Sequence, residues 1–127
     1  MTPKFRAWDV KDRRWLSPLN LLMDMTGELY WGFAGTVKYQ GNQKTTNIII
    51  EQWTGLPDRN GVEIYEGDIY RQIVWMNGRN EGIFLGQIVW ERDSWRFLPI
   101  NEQITFRIDS GKVIGNIHEN PELLEAS

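Results

Sequence analysis

Cysteine is absent from this 127-residue chain, which excludes disulfides, thiol nucleophiles and zinc–thiolate centres together. Histidine occurs once, at His118, so an imidazole general base or a Ser-His-Asp relay would have to use that residue. No Gly-x-Ser-x-Gly elbow accompanies it, and phosphate-binding loops, dinucleotide fingerprints and EF-hand loops are missing. No apolar run approaches the roughly 20 residues that a membrane-spanning helix needs, and Met1–Asp9 holds no signal-peptide core. Positive charge is not in excess either: 14 Lys and Arg face 17 Asp and Glu, a formal net charge of −3. That balance argues against tight, purely electrostatic nucleic-acid binding. These absences predict a soluble, cytoplasmic, non-enzymatic protein with no catalytic residues, no metal site and no cofactor.

Aromatic residues are plentiful, with seven Trp, four Tyr and five Phe. In a chain the length of one domain they supply the buried area that a small β-rich core needs. Charge is unevenly placed: Lys4, Arg6, Lys11, Arg13 and Arg14 make the first segment basic, whereas Glu51, Asp58, Glu63 and Glu66 make residues 51–66 acidic. Opposite local charges favour packing these two segments side by side only modestly, and solvated faces are the more usual explanation.

The densest pattern runs from Gln52 to Tyr70. Asp58-Arg59-Asn60-Gly61 separates two apolar runs, and Gly67-Asp68 opens another. Because Asn and Gly accept positive φ, Asn60-Gly61 predicts a tight hairpin turn with two consecutive left-handed residues. The stretch T-G-L-P-D-R-N-G-V-E-I-Y-E-G-D-I, with Lys4-Phe5-Arg6-Ala7-Trp8-Asp9 before it and Val113-Ile114-Gly115-Asn116-Ile117-His118-Glu119-Asn120-Pro121-Glu122-Leu123-Leu124 after it, resembles the YopX family of phage- and prophage-encoded proteins. The three blocks stand in the family's order and at its approximate spacing. The resemblance implies a phage or prophage origin and a largely β fold; it carries no activity that can be placed on named residues.

Elsewhere the pattern predicts short strands. Phe5–Asp9 and Trp15-Leu16 read as an N-terminal hairpin, and Leu19–Met25 as a short helix or irregular turn, from the spacing of Leu19, Leu22 and Met23. Glu28–Phe33, Thr36–Tyr39 and Asn47–Trp53 read as strands, the last with a buried Ile48-Ile49-Ile50 run. Ile69–Met76, Gly82–Trp90 and Ser94–Leu98 follow, and Ile104–Ile108 and Lys112–Ile117 read as a further pair joined across Asp109-Ser110-Gly111. Asn120-Pro121-Glu122 is a helix-start signal. The expected fold is mainly β, a single domain with an SH3-like, partly open barrel at about 62–118 and N-terminal strands at about 1–56 packed on it. Trp8, Trp53 and Trp90 are expected to be buried.

Asp58, Glu63, Glu66 and Asp68 cluster in sequence, the minimum for a Mg²⁺ site or a carboxylate pair. Asp58 is a natural turn residue and Asp68 opens a strand, so both identities have structural reasons. Arg71, Trp75, Arg92, Trp95 and Arg96 are the binding candidates, on strands that interleave arginine with aromatics. Trp and Arg are enriched in protein-interaction hot spots, and they also stack bases and contact phosphates. The expected role is an accessory protein that binds an unknown host or phage protein. Nucleic-acid binding is the alternative, weakened by Asp68, Glu91, Asp93 and Glu102 among the arginines.

Overall fold

The computed structural model describes residues 4–16, 21–23, 29–33, 36–41, 47–91 and 93–125. Most of the described residues lie in strands, which makes the fold mainly β, with one sheet curled as a half-barrel. Among the described residues the helical structure is a single 3-10 turn, Pro121–Leu124, and no helix is long and apolar enough to cross a membrane. The chain divides into two compact units, Thr2–Gln52 and Trp53–Ser127.

In the first unit, strand β1 (Phe5–Asp9) turns into β2 (Arg14–Trp15), so the expected N-terminal hairpin forms. The turn is local chemistry: the Asp9 carboxylate accepts the N–H groups of Lys11 and Asp12 at 3.0 and 3.1 Å. Strands β3 (Leu21–Met23), β4 (Leu29–Phe33) and β5 (Thr36–Gly41) make a three-stranded antiparallel sheet. The helix expected at Leu19–Met25 is therefore corrected. Leu21–Met23 pairs with Leu29–Trp31, because so short a stretch gains more from an adjacent strand than from one unsupported helical turn.

Strand β6 (Ile48–Pro57) runs antiparallel to β1, and its first half belongs to this unit. Ala7 and Ile48 form a small core with Leu16 and Ile50 against them. The isoleucine run is not buried throughout: Ile48 is 2% exposed and Ile49 37%, since successive side chains on a strand point to opposite faces. The basic and acidic segments do meet. Arg6 stands opposite Glu51, its Nε lies 2.9 Å from Glu51 Oε1, and its guanidinium sits 4.5 Å over the Trp15 ring. Trp8, opposite Trp15, is buried as expected and packs edge-on against it at 4.9 Å.

In the second unit the end of β6 pairs with β7 (Glu63–Tyr65). Beyond them lie β8 (Asp68–Met76), β9 (Arg79–Glu91), β10 (Ser94–Pro99), β11 (Phe106–Arg107) and β12 (Lys112–Asn116). They form one antiparallel sheet in the order β11-β10-β9-β8-β12: a meander whose last strand returns to pair with its first. Ile64, Tyr70, Val74, Ile88 and Phe97 are its buried core, joined by Phe84, Trp95, Phe106, Ile108 and Val113.

Four expectations change here. The β6–β7 hairpin exists, but only Gly61 takes positive φ (82°) and Asn60 does not. Gly61 N–H donates to the Asp58 carbonyl at 3.0 Å and Asp58 N–H to the Val62 carbonyl at 2.7 Å, the pattern of a three-residue loop ending in a left-handed glycine. The two-residue turn with consecutive positive φ lies instead at Asn77 (53°) and Gly78 (77°), joining β8 to β9. Residues 104–108 and 112–117 do not pair with each other. β11 pairs with β10 and β12 with β8, because buried side chains of β8 hold the segment between them. Gln72 donates to the Arg107 carbonyl and accepts from Asp109 N–H, and the Tyr70 hydroxyl accepts from Gly111 N–H at 2.7 Å. A Cβ at Gly111 would strike the Tyr70 ring.

Trp90 is 53% exposed, not buried: it stacks edge-on against Trp95 at the rim of the core, beyond Ile88, where no further layer covers it among the described residues. Trp53 is half-buried. The terminal helix signal yields only the 3-10 turn, and Asn120 does not cap it. Its Oδ1 accepts Asn116 N–H at 3.2 Å instead, while Asn116 Oδ1 accepts the N–H groups of His118 and Glu119.

Candidate functional site

The family-like stretch between Thr54 and Asp68 spends its polar groups on backbone. Asp58 is buried, and its carboxylate accepts three N–H groups, from Asn60 at 2.8 Å, Val62 at 2.9 Å and Val113 at 3.0 Å. Burial alone would raise its pKa; the donors from Val113, Val62 and Asn60, with Lys112 nearby, outweigh it and hold the carboxyl below its ordinary value. Asp68 Oδ2 accepts Tyr65 N–H at 2.7 Å, and Thr54 Oγ1 accepts Leu56 N–H at 3.1 Å. Asp58 and Asp68 of the acidic cluster are thus turn fasteners. Among the described residues no three of His, Asp and Glu converge as metal ligands.

The uncommitted chemistry lies on β8. Its alternation turns Tyr70, Gln72 and Val74 inward and leaves Arg71, Ile73 and Trp75 exposed, Trp75 at 61%. The β8–β9 register sets Ile83, 67% exposed, opposite Ile73. Lys112 stands opposite Arg71 from β12, and Arg59 reaches the same place because its N–H is bonded to the Gly111 carbonyl at 2.8 Å. Together with Asp109 and Ser110 these residues enclose a groove of about 450 Å³. Three cations and one carboxylate line it, over an apolar floor that includes Trp75. Neither Arg59 nor Arg71 has a side-chain partner among the described residues. A second groove of about 270 Å³ shares Gln72, Ile73, Trp75 and Asp109 with the first, and adds Val74, Arg96, Phe106 and Arg107.

The structure brings together only part of the candidate set. Arg71 and Trp75 share the first groove. Arg96 lines the second, but its Nε donates to Thr105 Oγ1 at 2.7 Å and its Nη2 to the Thr105 carbonyl at 3.0 Å. Trp95 packs inward on the core, and Arg92 lies outside the described residues. Arg59, Ile73, Ile83 and Lys112 escaped the sequence reading. A signal for one of them existed: β8 carries apolar residues on both faces, which leaves Ile73, like Trp75, on the side away from Tyr70 and Val74. Arg59 and Lys112 are far from β8 in sequence and gave none.

A mainly β protein with an aromatic-floored, cation-rimmed groove is the class that this geometry defines. The YopX protein family model matches residues 4–125, and the chain belongs to that family. A crystal structure of protein EF1440 from Enterococcus faecalis is similar at 30% identity and a TM-score of 0.64, covering 98% of this chain and 99% of that one. The crystal structure of protein yopX from Bacillus subtilis has the same fold at 16% identity and a TM-score of 0.62, covering 97% and 96%. A search of curated proteins finds no match.

Proposed function

We propose that this YopX-family chain is a phage- or prophage-associated accessory protein that acts without catalysis, in the host cytoplasm, by binding another protein. The observation that carries this reading is the groove on β8, where Trp75, Ile73 and Ile83 stand exposed beside Arg59, Arg71 and Lys112. Covering one such apolar side chain is worth about 1.5–3 kcal/mol, and Trp with Arg is the composition of interaction hot spots. The strand order β11-β10-β9-β8-β12 supports reading the second unit as SH3-like, a scaffold that presents such a face.

Affinity capture from host and phage-infected lysates with the native chain, Trp75→Ala and Arg71→Ala tests it, followed by calorimetry on the purified partner. A partner bound by the native chain and weakened at least about tenfold by both variants is the expected result; a partner indifferent to both overturns it. The same cations could meet phosphates, so single-stranded oligonucleotides belong in the test at about 150 mM salt. Net negative charge and the commitment of Arg96 to Thr105 predict weak binding there. Tight binding lost in Arg71→Ala would establish nucleic acid instead.

A further inference from the structure

We propose that the free edge of β8 from Ile73 to Met76 receives an extended, acidic segment of the partner as an added strand. This rests on the protein-binding reading above and specifies its form. β9 pairs with β8 along Ile69–Met76, whereas β12 pairs only with Asp68–Arg71. Beyond Arg71, the side of β8 away from β9 has no strand beside it among the described residues.

The direction of the backbone groups follows from one hydrogen bond. Ile100 N–H donates to the Leu85 carbonyl at 2.8 Å, so Leu85 directs its backbone groups toward β10. Alternation then turns Gly86 and Phe84 toward β8, where they meet Tyr70 and Gln72. The intervening residues Arg71, Ile73 and Trp75 therefore point their N–H and C=O groups to the other side; the extra residue of the bulge near Trp75 lies on β9, leaving β8 regular. Arg71 meets Lys112 there. Ile73 and Trp75 face the open edge.

The surroundings suit a strand. The second groove touches the four consecutive residues Gln72–Trp75, which alternate between the two faces of the sheet, so it opens on the edge itself. Exposed edges in soluble proteins are usually blunted or covered, and strand addition uses such an edge for affinity and flanking pockets for specificity. Charge selects the occupant: Arg59, Arg71, Lys112, Arg96 and Arg107 line the two grooves against the single carboxylate of Asp109. A second copy pairing through the same edge would bring these same cations against them.

The test uses the full chain with a fluorescein-labelled nine-residue peptide alternating Glu with Val, its Lys-for-Glu counterpart, and a version with Pro at alternate positions. The acidic peptide is expected to bind saturably and to slow amide exchange of Ile73 and Trp75, with both control peptides at least about tenfold weaker. Ile73→Pro removes an N–H that serves no bond to β9, so it should fold and lose the peptide. Absence of saturable binding below about 1 mM, equal binding of the proline peptide, or binding without protection of Ile73 and Trp75 overturns the proposal. So does protection of those amides by self-association or by single-stranded DNA. A captured partner that is lost with Trp75→Ala but bound normally by Ile73→Pro would sink strand addition and leave the protein-binding reading standing; indifference to both variants would sink that reading as well.

Discussion

Between Thr54 and Asp68 the side chains of Thr54, Asp58 and Asp68 each accept backbone N–H groups, and Asp58 alone ties its own turn to β12. A few residues on, the outward side chains of Arg71, Ile73, Trp75 and Ile83 stabilise nothing comparable: they are exposed, and they line a groove. The first stretch is the most recognisable part of the sequence and is committed to architecture. The second has no motif, yet it holds the apolar and cationic groups that folding leaves available. Recognisable turn chemistry and available binding chemistry therefore occupy different residues, because a side chain bonded to its own backbone has little left for a partner.

The largest expected effect is at Asp58. Asp58→Ala leaves the N–H groups of Asn60, Val62 and Val113 without their acceptor, and should cost about 3 kcal/mol, read as a lower urea midpoint at unchanged slope. A loss below about 1 kcal/mol would break the claim that this stretch is committed to the fold. Gly61→Val comes next, at about 1–3 kcal/mol. No atom lies within 4 Å of a Cβ there, so the whole cost is the strain of φ 82°; an unchanged melting temperature would show that the turn relaxes freely.

Acid should act through the same group. The Asp58 carboxyl sits below its ordinary value of 3.8 in the folded chain, so the unfolded chain takes up the proton first. Its contribution is fully present above about pH 4 and is lost as pH falls through the lower folded value. Denaturation curves from pH 6 to 2 should fall less steeply for Asp58→Asn than for the native chain, and parallel curves would remove Asp58 from the account of acid sensitivity. The smallest effects on stability belong to the other stretch. Trp75→Ala and Arg71→Ala should each change stability by no more than about 0.5 kcal/mol while weakening partner binding. A large destabilisation by either would erase the contrast between the two stretches.

Local chemistry accounts for what was legible from residues alone. The N-terminal hairpin, the β6–β7 turn and the Gly67-Asp68 strand entrance depend on φ tolerance and on short Asp-to-backbone bonds, all set within a few residues. Apart from the Asn60-Gly61 turn, whose three-residue loop needs one left-handed residue and not two, misreadings arose where a distant segment decided. Leu21–Met23 became a strand because Leu29–Trp31 pairs with it. Residues 106–107 and 112–116 parted to opposite edges of the sheet because Tyr70 and Gln72 hold the backbone between them. Trp90 and Trp95 are similar in sequence context, but only Trp95 reaches the core.

The sequence by itself determined a mainly β chain of the YopX family, the places of several turns, and the placing of Arg71 and Trp75 on one strand. Tertiary structure alone decided that Arg59 and Lys112 converge on Arg71, that Arg96 is taken by Thr105, and that β12 pairs with β8 no further than Arg71. Those outcomes depend on strand register and on which segments the fold sets side by side, and a side chain's identity does not encode which backbone will stand beside it.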